Sequence, residues 1–366
     1  DCVAQQFSSL RAAGQTELRN AQRTTDFFTI ANLGSMGTLD AMNKRRVDGI
    51  HAVRWAPTVT MQMFEEMQQP GMLESGVILN NVFAFRWAMA AGTRAGTLLY
   101  ESTSERAADL SEAEAAAGGG GAFIQISLEA PGSRARWKNF FRTHADFWDQ
   151  GRSCCQVGLL FFNDQAFYEY PEHFAAVQRL AKVFSESQIP FDLVVEPGLN
   201  QIGSYPLIIA PMLRYLDDSQ INSLLTYARK GGRLVIVEPF GSEDVYARPR
   251  AQNLPNCPYG QATAFGNGQL LRLNEEDIPK RRSDLWCMME ERGNAFSLCR
   301  EYLNTARTLD KANGTDLGPL FISRLENALN LRLRWCNKET DPGVYVHAYR
   351  LPAKDGRPQR LVLHAV

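Results

Sequence analysis

The chain has 366 residues, 45% hydrophobic and 22% charged, with 39 Lys plus Arg against 40 Asp plus Glu and a net charge of −1. This is the make-up of a globular protein of about two or three domains. It offers no domain-wide basic field for nucleic acid and no apolar run of about 18 residues for a membrane span.

The seven cysteines (Cys2, Cys154, Cys155, Cys257, Cys287, Cys299 and Cys336) contain no C-x-x-C pair. No metal site is therefore expected, and the thiols read as reduced core groups of a cytoplasmic protein. Asp1 opens the chain without a signal-like apolar region, and the apolar run 360–366 ends without a turn. The expectation is an internal piece of a longer polypeptide.

Residues 1–25 place Phe7, Leu10 and Leu18 at helical spacing. Asp26–Asn32 and Val47–Val53 read as strands, the second stopped at Pro57. A helix rich in Met and Phe is expected next, then another over about 82–91. The run Gly96-Thr-Leu-Leu-Tyr-Glu101 is a third strand, 105–117 a helix, and Ala122–Ser127 a fourth strand. Strand and helix thus alternate four times, which is half of a (β/α)₈ barrel. The glycines 118–121 precede a strand and lack a following Lys-Ser/Thr, so they connect a helix to a strand and do not cradle phosphate. No cofactor is expected.

An aromatic helix over 131–152 leads to a second alternating block. Strands are expected at 157–162, 191–195, 207–210 and 233–237. Helices lie at 171–187 and 216–230, the latter with Asp217 or Asp218 near its start and Gly231-Gly232 past its end. This block is a doubly wound, flavodoxin-type sheet. From about 241 to 330 the chain reads as loops and two helical stretches. Residues 331–335, 344–349 and 361–364 alternate like an antiparallel sheet, with a turn at Lys354-Asp-Gly-Arg357. The domains expected are 1–152, 153–330 and 331–366.

The chemistry centres on Glu101. An apolar strand that ends in a carboxylate needs a cleft or a partner for the charge, and catalytic groups of a parallel barrel gather at the carboxyl ends of its strands. The bland reading is a rim salt bridge. Asn32 suits either a hydroxyl contact or a turn. Trp55 suits either stacking on a sugar face or burial. His51 reads as a satisfied core histidine within a strand, and Glu129 as a solvated strand end. Glutaminase chemistry is not expected of the second block, because Pro211-Met212-Leu213 follows its 207–210 strand where a cysteine would be needed.

The order of parts resembles the β-galactosidase-type glycoside hydrolases: a (β/α)₈ barrel, a flavodoxin-like trimerisation domain and a small β-domain. Gly96–Glu101 looks like the seventh barrel strand of that family, where Leu-Leu-x-Glu carries the nucleophile. The 157–240 block is similar to the trimerisation domain. The resemblance implies a carbohydrate substrate, retaining double displacement and a homo-oligomer, possibly a trimer in that family's manner. It also implies an acid/base glutamate in an Asn-Glu pair on the fourth barrel strand, which on this reading precedes Asp1. Asn274-Glu275 lies far downstream, and the tryptophan expected soon after the nucleophile is not seen. The alternative is a non-catalytic carbohydrate-binding or oligomerisation module on the same scaffold.

Overall fold

The computed structural model describes residues 2–34, 51–64, 71–72, 78–79, 82–99, 105–119, 122–125, 131–250, 257–279, 318–333, 346–353 and 358–365. Helix α1 (Cys2–Asn20) lies on the outside and turns Val3, Ala4 and Phe7 to the core. A four-stranded sheet follows, built from β1 (Ile30–Gly34), β2 (Met61–Phe64), β5 (Arg94–Leu99) and β6 (Ala122–Gln125) in that spatial order, all parallel. Between β1 and β2 lie the one-turn α2 (Ala52–Trp55) and a 3-10 turn, Ala56–Thr58. Between β2 and β5 lie a two-stranded ribbon, β3 (Gly71–Met72) with β4 (Ile78–Leu79), and helix α3 (Val82–Ala90). Helix α4 (Glu105–Gly118) joins β5 to β6, and α5 (Pro131–Thr143) with α6 (Ala145–Gln150) leads out of the sheet.

Two sequence expectations change here. Among the described residues the second strand of this sheet is 61–64, and 52–53 of the expected 47–53 strand lie in a helical turn. Val59, Met61 and Met63 alternate with Thr60 and Gln62, a period of two that suits a strand and not the expected Met-rich helix. His51 is not inside a strand either; it caps α2, its Nδ1 accepting the backbone N–H of Arg54 at 3.3 Å. Residues 47–50 lie outside the described residues.

The second sheet has the order β12-β13-β11-β10-β8-β9. Its strands are β8 (Val157–Leu160), β9 (Phe191–Val194), β10 (Leu207–Pro211), β11 (Arg233–Val237), β12 (Ala262–Phe265) and β13 (Gly268–Leu273). All pairs are parallel except β12 with β13. Taken in chain order the parallel strands run 2-1-3-4-5, the flavodoxin-like arrangement. Alternate residues feed opposite faces. Leu159, Ile209 and Val235 join the core under α8 (Pro171–Glu186) and α10 (Gly318–Leu329), whereas Leu160, Ile208 and Leu234 join the core under α9 (Asp218–Arg229). Asp217 caps α9 through a reciprocal box with Gln220. Between β8 and α8 lies the one-turn α7 (Asp164–Phe167).

The 262–273 hairpin corrects the expectation of loops after 241. Its turn holds Gly266 at φ +61°, and a Cβ on Gly268 would stand 2.2 Å from the carbonyl oxygens of Ala228 and Gly232. Gly266-Asn267-Gly268 is therefore required where it stands. The remaining sheet is antiparallel as expected: β14 (Val346–Leu351) between β15 (Arg360–Ala365) and β7 (Arg152–Ser153). Residues 331–333 are not a strand, and 334–335 and the turn 354–357 lie outside the described residues.

Helix α3 is buried on nearly every side, from Val82 to Ala88. A helix apolar on every face but for one arginine, Arg86, must be enclosed, and α3 packs on β5 and α4 on one side and on β9 and α8 on the other. Phe83 meets Phe161 and Phe174 edge-on at 5.5 and 5.6 Å, and Trp87 meets Phe161 at 4.8 Å. One continuous core thus joins the first sheet to the second. Among the described residues, no helix is long and apolar enough to cross a membrane.

Candidate functional site

The carboxyl end of the first sheet is defined by Gly34, Phe64, Leu99 and Gln125, the last pair in register across β5 and β6. Glu101 follows Leu99 by two positions in the sequence, but both Glu101 and Glu129 lie outside the described residues. The carboxylates just downstream have structural work. Glu105 accepts the backbone N–H groups of Gly132 and Ser133 at 2.9 and 2.7 Å, completing the start of α5. Asp109 accepts from Ser133 Oγ, Trp137 Nε1 and Arg136 at 2.7–2.9 Å.

Asn32 is exposed on β1, in register with Met63 and, one strand further, Gly96. Trp55 is elsewhere: it precedes β2, is buried, and packs on Phe7 at 5.4 Å. Its position belongs to the amino-terminal approach to the sheet, so it does not line the carboxyl end. His51 is buried with both nitrogens engaged, by Asp164 at 2.8 Å and by Asn163 at 3.1 Å. That is the satisfied core histidine the sequence suggested. The Asn274-Glu275 pair caps a turn after β13, with Glu275 3.6 Å from Arg179.

At the switch point of the second sheet, the residue after β10 is Met212, held at φ +50°. Glutaminase chemistry would need a cysteine after this strand, and the position carries a thioether, with the next helix starting only at Asp218. The nearby His173 is buried, with Nδ1 2.6 Å from the carbonyl of Pro211 and Nε2 accepting the N–H of Phe162 at 2.9 Å. Burial holds its pKa down at about 4 despite the Pro211 hydrogen bond. Neither ring nitrogen is left for base chemistry.

A third place escaped the sequence. Between β7, β9 and β14 a cleft of about 1200 Å³ is lined by Ser153, Cys155, Asp192, Tyr205 and Arg350 among others. Cys155 and Asp192, which line it, and the fully buried His347 behind them bring a sulfur, a carboxylate oxygen and a ring nitrogen within 4.8 Å of one another. Cys155 Sγ is 3.4 Å from His347 Nε2 and 3.7 Å from Nδ1. Burial, with Asp192 adding to it, raises the Cys155 thiol well above its usual range, and burial lowers His347. No spacing rule finds such a set, because Cys155 and His347 are 192 residues apart. Of the described thiols, Cys155 and Cys257 are buried as expected, Cys154 is half-buried and Cys2 is exposed.

No protein-family model matches the chain, and no curated protein matches it. Solved structures do. The polyextremophilic β-galactosidase of the Antarctic haloarchaeon Halorubrum lacusprofundi superposes with a TM-score of 0.56 at 11% identity, over 93% of this chain and 64% of that one. A β-galactosidase of Bacillus circulans sp. alkalophilus gives 0.53 at 10% identity, over 87% and 59%. The GH42 β-galactosidase Gan42B of G. stearothermophilus, as a catalytic mutant, gives 0.53 at 12% identity, over 82% and 53%. The chain therefore has the fold of part of a GH42-type β-galactosidase, and it spans between about half and two thirds of the length of these proteins.

Proposed function

We propose that this chain is part of a retaining, β-galactosidase-like glycoside hydrolase, with Glu101 as its nucleophile. The observation that carries the reading is β5: it lies in register between β2 and β6 in an all-parallel sheet and ends two positions before Glu101. On this reading the four parallel strands are staves five to eight of a (β/α)₈ barrel, residues 1–152 are the barrel part, and Asn32 is the position assigned to a sugar hydroxyl. Retention requires a second carboxyl about 5 Å from the first, acting as acid and then as base. The family-type Asn-Glu pair occurs here only at 274–275, where it caps a turn. These residues alone thus support attack on the anomeric carbon without supplying the leaving-group proton, and little hydrolysis of ordinary glycosides is expected from them.

A 2,4-dinitrophenyl 2-deoxy-2-fluoro-β-galactoside tests the assignment, because its leaving group departs without protonation. Mass spectrometry of the digested protein is expected to find the fluorosugar on Glu101, and Glu101→Gln to abolish the adduct. Labelling of another carboxylate, or equal labelling of both proteins, removes Glu101 from the mechanism.

The second block, within 153–330, supports an assembly role beside this. Met212 occupies the elbow and His173 is fully hydrogen-bonded, so the block keeps the sheet of an amidotransferase-like unit without its chemistry. A homo-oligomer, a trimer by analogy, is the corresponding proposal. Light scattering on the purified chain checks it, and a monomer at all concentrations would exclude it.

A further inference from the structure

We propose that Cys155, Asp192 and His347 bind one zinc ion, which ties the second sheet to the C-terminal strands. The three residues come from separate parts of the fold: the segment before β8, strand β9 and strand β14. A tetrahedral zinc with bonds of about 2.3 Å to sulfur and about 2.0–2.1 Å to nitrogen or oxygen sets its ligand atoms roughly 3.3–3.6 Å apart. The 3.4 Å between Cys155 Sγ and His347 Nε2 is of that length, but Nδ1 is also only 3.7 Å from the sulfur, so the imidazole must turn for Nε2 to aim its lone pair at a shared ion. The whole set lies within 4.8 Å, so a side-chain adjustment of Asp192 brings the third donor in.

The surroundings fit an ion site better than a nucleophile. A cysteine nucleophile needs a histidine that is oriented from behind by an acid. Here Asp192 stands beside the thiol, and both nitrogens of His347 lie within 3.7 Å of the sulfur, so no relay is formed. Asp192 is instead aimed by two neighbours: Tyr205 Oη donates to its Oδ2 at 3.1 Å, and Arg86 Nη1 stands 3.4 Å from Oδ1. Outer partners of this kind hold ligating carboxylates in place. Ser153 Oγ lies 3.1 Å from His347 Nε2, so an ion on that nitrogen would replace this hydrogen bond. Thiolate, imidazole and carboxylate form a donor set of the borderline-soft kind that zinc takes. Binding forms the sulfur–zinc bond and releases the thiol proton to the cleft.

Cobalt(II) reads this out directly, since a thiolate bound to cobalt gives a charge-transfer band in the near ultraviolet. The full chain, stripped with a chelator, is expected to take up one cobalt per chain with that band, and zinc is expected to displace it. Cys155→Ser should lose the band. Asp192→Asn, which keeps the side-chain size and serves if Cys155→Ser does not fold, should weaken cobalt binding about tenfold or more. Cys154→Ser, whose thiol is next in sequence but outside the set, should keep both band and affinity. Zinc should raise the melting temperature of the wild type and of Cys154→Ser, and leave Cys155→Ser unmoved. A band retained in Cys155→Ser, cobalt affinity unchanged by Asp192→Asn, or no cobalt uptake by folded wild-type chain would each overturn the site.

Discussion

His51 Nε2 lies 2.8 Å from Asp164 Oδ1, across 113 residues, and so fastens the turn before β2 to the first turn after β8. The tautomer follows from the partners. Nδ1 receives the N–H of Arg54 and the side-chain amide of Asn163, so Nε2 carries the hydrogen and donates it to Asp164. Phe167 stacks on the ring at 4.9 Å. Removing the ring with His51→Ala leaves the Asn163 amide buried without this acceptor, and is expected to cost about 2–3 kcal/mol in urea unfolding. The hydrogen bond from His51, before any other favourable contact, lowers the Asp164 pKa. A depressed carboxyl adds stability above the usual carboxylate range and loses it as pH falls through the lowered value. Asp164 is partly exposed, so Asp164→Asn should cost about 1 kcal/mol or less near neutrality and flatten the acid limb of stability. An acid limb unchanged by the substitution would refute the link.

Arg86 makes the next prediction. It sits on α3 almost fully buried, donating to the carbonyl of Ala117 at 3.0 Å, to the hydroxyl of Tyr349 and towards Asp192. One guanidinium therefore links the first sheet's helices, β9 and β14. Arg86→Met leaves Asp192 without its counter-charge and is expected to cost about 3–5 kcal/mol. Arg86→Lys should recover little, because a single ammonium does not span three acceptors in different directions. Recovery to wild-type stability in Arg86→Lys would show that only charge matters there.

Glu112 predicts a slope of the opposite sign. It is buried on α4, one carboxyl oxygen has no partner among the described residues, and burial followed by the charge of Asp109 raises its pKa to about 8. Between its ordinary range near 4.5 and about 8 the folded chain holds a proton that the unfolded chain has released. Stability therefore falls as pH rises through that window and levels off above it. Glu112→Gln removes the ionisation and should be more stable than wild type at pH 8, by on the order of 2 kcal/mol, with the two converging towards pH 5. Paired melting curves across that range decide it; parallel curves would place Glu112 in a solvated setting.

How far these features could be read beforehand depends on how local they are. Strands β8, β10 and β11 were legible because each is a short apolar run buried on both faces, and α9 because Asp217 and Gly231-Gly232 mark its ends. Strand β2 is hard to read because four residues of alternation, Met61–Phe64, are a weak signal beside the apolar 47–53 sequence. The β12–β13 hairpin lies in a stretch that reads as loops, although Gly266-Asn267-Gly268 between apolar runs is a strong turn signal. Trp55 is buried, the second of the two readings its sequence position allows. The Cys155, Asp192 and His347 set had no local signal at all, since its members meet only through the packing of β14 beside β7.

The elbow after β10 gives the last prediction. Met212 holds a left-handed backbone, which costs of order 1 kcal/mol or more for a side chain without a special reason to be there. Its side chain is buried and joins the core under α8. Placing a thiol there with Met212→Cys restores the residue type that glutaminase chemistry needs, but not the base. His173 donates from Nδ1 to Pro211 and accepts at Nε2 from Phe162, and giving up either bond would strand a buried backbone group of the central strands. A histidine held at about 4 is also neutral at physiological pH, with its one lone pair already used. Met212→Cys is therefore expected to show no glutamine hydrolysis, and its thiol to react with iodoacetamide no faster than the buried Cys257 under native conditions. Rapid, pH-dependent alkylation of the new cysteine would mean that His173 can leave its backbone partners and act as a base. The block would then have to be read as a dormant catalytic unit instead of an assembly surface.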